Sequence, residues 1–171
     1  MSEPVPGDTV VVDTNVLVAV GGPDNAKYQA LRSFAIERDV KLLVPERVVA
    51  ELHTMRAADR VEYAVEEGWA TVVEPPEPTH TDAVAAMDYV RREIARRSGK
   101  DEHEVEKADT VLAGLAIEYL HRGDGTVFVV TDDRVAAAAI RGAVSSRGYD
   151  EGVSVLTRND VVDDDDDIQM I

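Results

Sequence analysis

Five short apolar runs punctuate the chain: Thr9–Val12 (TVVV), Lys41–Val44 (KLLV), Ala70–Val73 (ATVV), Thr126–Val130 (TVFVV) and Val153–Leu156 (VSVL). Runs that lack polar alternation suit strands buried on both faces of a parallel sheet. The segments between them carry helical spacing instead. Ala26, Ala30, Leu31, Phe34 and Ala35 form one stripe, and Val48, Val49, Leu52 and Met55 form another after Pro45. A short helix is expected over Arg60–Glu67, stopped by Gly68, and Pro75, Pro76 and Pro78 then break the chain. Longer helices are expected from Thr79 to Arg97, from Glu104 to His121, and over the alanine-rich Val135–Val144. Strands alternating with helices imply parallel βαβ units with right-handed crossovers. The expected architecture is a three-layer α/β/α sandwich around a mainly parallel sheet of four or five strands.

A chain of 171 residues suits one domain, expected over residues 1–162. Asp163–Asp167 opens an acidic tail, residues 163–171, expected to be flexible and solvated because five like charges repel. There is no cysteine, which excludes disulfides and thiolate metal sites. No apolar run is long enough for a membrane span, and the first residues lack a signal-peptide pattern, so a cytoplasmic protein is expected.

Charge is the strongest compositional bias. Asp and Glu number 34 against 18 Lys and Arg, a net charge of −16. Nucleic-acid binders usually present a basic face, so this balance argues against a polyanionic partner at low salt. In a high-salt cytoplasm the objection weakens, because the Debye length falls to roughly 3 Å at 1 M. The preference for arginine over lysine (only Lys27, Lys41, Lys100 and Lys107) fits that reading and a halophilic archaeal source.

Ligands bind at the carboxyl ends of parallel strands. Asp13 follows the first strand directly. Asp132 and Asp133 follow the fourth, in Thr131-Asp132-Asp133-Arg134. Asp109 shares a helical stripe with Val105, Leu112 and Ala116, and Glu51 shares one with Val48 and Met55. A carboxylate on a core-facing stripe is costly unless paired or metal-bound. Each acid also has a structural reading: a turn or helix cap for Asp13 and for one of Asp132 and Asp133, a solvated helix position for Glu51, and a helix-dipole position for Asp109. Agreement of all four stretches on one sheet edge favours a shared site. Grouped carboxylates raise one another's pKa, and a divalent cation relieves the repulsion. Oxygen-only donors suit Mg²⁺ or Mn²⁺, which favours phosphodiester hydrolysis.

Four stretches together resemble the PIN-domain family: VVVDTNVLV (Val10–Val18), VPERVVAEL (Val44–Leu52), EKADTVLAGLA (Glu106–Ala116) and VFVVTDDR (Val127–Arg134). The resemblance implies metal-dependent cleavage of single-stranded RNA, with Asp13, Glu51 and Asp109 binding the ion directly or through water. In the family's fourth motif the acid stands two residues after Ser or Thr. That selects Asp133 and leaves Asp132 as a second candidate, with Asn15 and Thr131 as supporting groups. Arg47, Arg56, Arg96 and Arg134 are candidate contacts to the RNA backbone. Family members commonly dimerise, so a homodimer is an open partner.

Biological role stays open between RNA maturation, for example of ribosomal RNA, and the toxin of a toxin–antitoxin pair, which would add an antitoxin partner. The extended middle and tail favour maturation. A non-catalytic PIN-like binding module is the alternative from another class, and four retained acids weigh against it. An aspartyl phosphotransferase would need a second aspartate two positions after Asp13, where Asn15 stands. No G-x-x-x-x-G-K-[ST] element is present, which removes nucleoside triphosphatases of that type.

Overall fold

Each of the five apolar runs forms a strand: β1 (Thr9–Val12), β2 (Leu42–Pro45), β3 (Ala70–Val73), β4 (Val127–Val130) and β5 (Val153–Leu156). They appear in a computed structural model that describes residues 3–77, 79–105, 107–123 and 125–162. The strands lie in the order β3-β2-β1-β4-β5, and every neighbouring pair is parallel. The chain therefore winds outward from β1 to β3 and then returns to pair β4 on the other side of β1. Val12 stands opposite Val130 at the end of that central pair.

Alternate residues of each strand serve opposite faces, as the two-residue strand period requires. Val10, Val12, Leu42, Val44, Phe128 and Val130 join one core with α1 (Thr14–Val20), α2 (Ala26–Glu37), α3 (Glu46–Thr54) and α4 (Asp59–Glu67). Val11, Leu43, Val127 and Val129 join the other with α5 (Thr81–Ser98), α6 (Lys107–Arg122) and α7 (Arg134–Ser146). The result is the expected three-layer α/β/α arrangement. A short helix, α8 (Arg158–Val161), follows β5, with Thr157 and Asp160 forming a capping box.

Two local expectations need correction, and two helices were without a sequence-based expectation. Thr14–Val20 is a helix, although its valines disfavour helix at χ1. Burial of Val16, Leu17 and Val20 overrides that preference, and Arg60 Nη1 donates to Leu17 O and Val18 O at 2.9 Å each, tying down the last turn. Helix α6 begins at Lys107, not Glu104; residues 102–104 form a single 3₁₀ turn, and Val105 is buried outside the helix. Met55 is 54% exposed because α3 stops at Thr54 and Arg56 turns the chain with φ +56°. The short helix α8 was not foreseen. The expected acidic tail, 163–171, lies outside the described residues. No helix among the described residues is long and apolar enough to cross a membrane.

Helices α5 and α6 approach closely at Gly114. A Cβ there would meet Met87 Cγ and Sδ at 2.7 Å and Pro76 Cγ at 2.8 Å. Overpacking of a filled core costs about 1–3 kcal/mol. Gly114→Val is expected to lower the unfolding free energy by that amount, read as a lower urea midpoint with an unchanged denaturant slope; an unaltered midpoint would show that the helices are free to separate.

Candidate active site

The reversal of winding direction between β1 and β4 opens a crevice at their carboxyl ends, where doubly wound sheets bind ligands. Asp13 stands at this point, 3% exposed, as the N-cap of α1. Its Oδ1 accepts from the Thr14 backbone N–H at 2.7 Å. Its Oδ2 accepts from the Thr131 hydroxyl at 2.7 Å and from Asn15 Nδ2 at 3.2 Å. Asn15 also bridges to the β4 side, receiving the Asp132 N–H on its Oδ1 at 3.2 Å. The ends of the two strands are thus tied together through one buried carboxylate.

Three further acids reach the same cleft of about 610 Å³: Glu51 from α3, Asp109 from the first turn of α6, and Asp133 from the start of α7. Glu51 Oε2 accepts from the Thr14 hydroxyl at 2.6 Å. Asp133 caps α7, its Oδ1 accepting from Val135 N at 2.9 Å and Ala136 N at 3.0 Å. Its own N–H donates to Thr131 Oγ1 at 3.2 Å. The capping role expected for one of the two adjacent aspartates and the place in the cleft therefore fall on the same residue.

Asp132 turns away. Its carboxylate receives Arg158 N at 2.8 Å and Arg158 Nε at 3.1 Å, an ion pair on the β5 side. The candidate RNA contacts also separate. Arg96 is held by Glu93 on α5. Arg56 and Arg134 are exposed beside the cleft residues Met55 and Asp133. Arg47 lines a neighbouring groove that shares Glu51 with the cleft.

The cleft contains residues that sequence patterns did not single out. Thr14, Thr54, Val18 and Met55 line it, the last two as exposed apolar surface. Thr14 was legible in principle, as the middle residue of the strand-end triplet. Met55 was assigned to the core, because periodicity does not mark where a helix stops.

Burial pushes the Asp13 carboxyl above its ordinary value. The Thr131 hydroxyl and Thr14 N–H oppose the shift, while the negative charges of Glu51 and Asp133 add to it. The donors around the cleft are carboxylates, hydroxyls and one amide, without imidazole. That set fits a hard divalent cation. The four acids ring the cleft rather than crowd together: among the described residues, three metal-type ligand atoms lie within 4.8 Å of one another at Asp101, His103 and Glu104, which are exposed.

Fold and site together define a doubly wound parallel α/β protein whose switch-point cleft is lined with carboxylates. A family model described as "Halobacterial PIN domain" matches residues 6–170, and the chain belongs to that family. PIN-domain proteins are generally metal-dependent nucleases and typically use divalent metals. The halobacterial family also fits the acid-rich composition. Among solved structures, a chain of VapBC2 from Rickettsia felis bound to a DNA fragment from their promoter is similar, with 12% identity and a TM-score of 0.49, over 87% of this chain and 98% of that one. No curated protein sequence matches the chain.

A carboxyl whose folded pKa is raised binds its proton more tightly in the native state. Its contribution to stability is therefore present below the ordinary value of 3.8 and is lost as pH rises through the folded value. With chelator present, the parent is expected to lose stability relative to Asp13→Asn as pH rises from about 3 to 7. Urea unfolding across that range measures the difference, and parallel pH profiles would show that Asp13 carries no burial penalty.

Proposed function

We propose that this protein is a metal-dependent endoribonuclease that hydrolyses phosphodiester bonds of single-stranded RNA, with RNA maturation, for example of ribosomal RNA, as its role in the cytoplasm. The supporting observation is the convergence of Asp13, Glu51, Asp109 and Asp133, from four separate stretches, on one cleft at the switch point of the sheet. These carboxylates line one cleft, where a bound cation would offset their negative charge, and Mg²⁺ or Mn²⁺ suits their oxygens.

Asp13, Asp109 and Asp133 would hold the ion, with Asn15 and Thr131 fixing the Asp13 oxygens through the contacts described above. When bound, such an ion lowers the pKa of a coordinated water and offsets charge on a phosphoryl oxygen. Glu51 is positioned by the Thr14 hydroxyl to accept the proton of the attacking water. Water oxygen bonds to phosphorus in line with the P–O3′ bond, which breaks, and the departing O3′ takes a proton from solvent. The products carry a 5′-phosphate and a 3′-hydroxyl.

The acid-lined cleft repels RNA at low ionic strength, so the reaction belongs at high salt. At about 1 M KCl the repulsion is screened beyond roughly 3 Å. Under those conditions, with Mn²⁺, the parent is expected to cut unstructured RNA, and Asp13→Asn and Asp109→Asn to abolish cutting while keeping the native circular dichroism spectrum. Asp132→Asn, which breaks only the pair with Arg158, is expected to cut like the parent. Cutting by Asp13→Asn at the parental rate would remove the site from the reaction.

The supporting amide gives a separate readout. Losing a group that orients a metal ligand costs about 10–100-fold in metal affinity. Asn15→Ala is expected to bind Mn²⁺ that much more weakly by calorimetry. Unchanged affinity would assign Asn15 to strand tethering alone.

A further inference from the structure

A second groove, of about 400 Å³, adjoins the cleft and shares Glu51 and Thr54 with it. Arg47, Glu51 and Thr54 fall at i, i+4 and i+7 on α3, so one face of that helix runs from the groove into the cleft. The opposite wall begins at Lys107, the first residue of α6, with His103 nearby. Ala108 is buried beneath, where α6 packs on α3.

Two cations of this groove stand outside the ion pairs of the described residues. Acids outnumber cations by 34 to 18, and eight arginines are engaged in ion pairs among the described residues. Arg47 and Lys107 have no carboxylate within 4.0 Å among those residues, although Glu51 and Glu104 line the same groove. Two cations from different helices, without an ion pair among the described residues, therefore line a groove that shares Glu51 with the acidic cleft. An acidic cleft offers a phosphodiester strand little attraction of its own. Cations one step along the strand path supply it.

We propose that this groove is a second substrate subsite, in which Arg47 and Lys107 hold a phosphate of the RNA strand next to the one that is cut. The proposal rests on the ribonuclease reading and adds the direction in which the strand leaves the cleft. Arg47 and Lys107 position the strand and do not touch the reacting atoms. Their loss affects KM and not kcat.

The test uses the full chain and a fluorescein-labelled oligouridylate of about 12 nucleotides, with Mn²⁺ and a KCl series. Arg47→Ala combined with Lys107→Ala is expected to raise KM about tenfold, with kcat kept. Each lost single-strand phosphate contact flattens the dependence of log KM on log salt by about 0.7, so the pair should flatten it by about 1.4. Arg47→Lys with Lys107→Arg should restore both. Lys41→Ala with Arg92→Ala removes the same charge from residues that line neither cavity, and should change neither.

If the parent cuts and the two alanine pairs behave alike, the subsite is overturned and the nuclease reading stands. If the parent binds the oligonucleotide without cutting it, and only the groove pair abolishes binding, the groove stands and the nuclease reading falls. A parent that neither binds nor cuts overturns both.

Discussion

The hydrogen bond from the Thr131 hydroxyl to the buried Asp13 carboxylate joins the ends of the two strands between which the sheet reverses its winding. A charge placed there without partners would be strongly unfavourable. Asp13 is tolerated because each oxygen is engaged, one by a backbone amide and the other by a hydroxyl and a side-chain amide. The same contacts set the position of Thr14, whose hydroxyl reaches Glu51, and of Thr131, whose oxygen accepts the Asp133 N–H. The cleft is thereby assembled outward from one carboxylate, and the sheet topology determines where that carboxylate can stand.

Such a site places opposing electrostatic demands on an acid-rich chain. Under the proposed function, carboxylates that hold a cation also repel a polyanionic substrate, and the surrounding net charge of −16 extends the repulsion. High salt removes the long-range part, because screening falls within roughly 3 Å near 1 M. Direct contacts to phosphate are weakened by salt but keep their geometry. Under that function, Arg47 and Lys107 beside the cleft matter more than they would on a basic surface, where attraction is spread widely.

The sheet was readable from sequence nearly to the residue, since fully apolar β-branched runs have few other uses in a soluble chain. β1, β3 and β5 begin and end where their side chains say they should. Misreadings cluster where tertiary contacts outweigh local pattern. Thr14–Val20 carries too few local helix signals to be read in advance, and burial against the sheet with the Arg60 guanidinium makes it a helix. Met55 continues the α3 stripe in sequence but lies beyond the turn at Arg56. Asp132 and Asp133 are chemically identical neighbours, and only the distant Arg158 separates their roles. Lys107 carries no local mark at all; its significance comes from facing Arg47 across a groove.

The placement of the acids explains how the fold supports them. Asp13 caps α1, Asp133 caps α7, and Asp109 lies in the first turn of α6. Each stands at a helix N-terminus, where unsatisfied amides and the aligned peptide dipoles favour negative charge. At Asp13 the backbone bond offsets part of the cost of burying the charge, although burial still outweighs it. Capping also fixes direction, since the Asp133 oxygen that receives two α7 amides constrains where the other can point. Glu51 differs. It lies toward the carboxyl end of α3, where the dipole gives no help, and its bond is to a hydroxyl. A hydroxyl both donates and accepts, so it can stay bonded whether the glutamate is charged or protonated. That is the property required of the one carboxylate proposed to take up a proton. The Asp133 oxygen that caps α7 lacks it, because two backbone amides hold it as an acceptor.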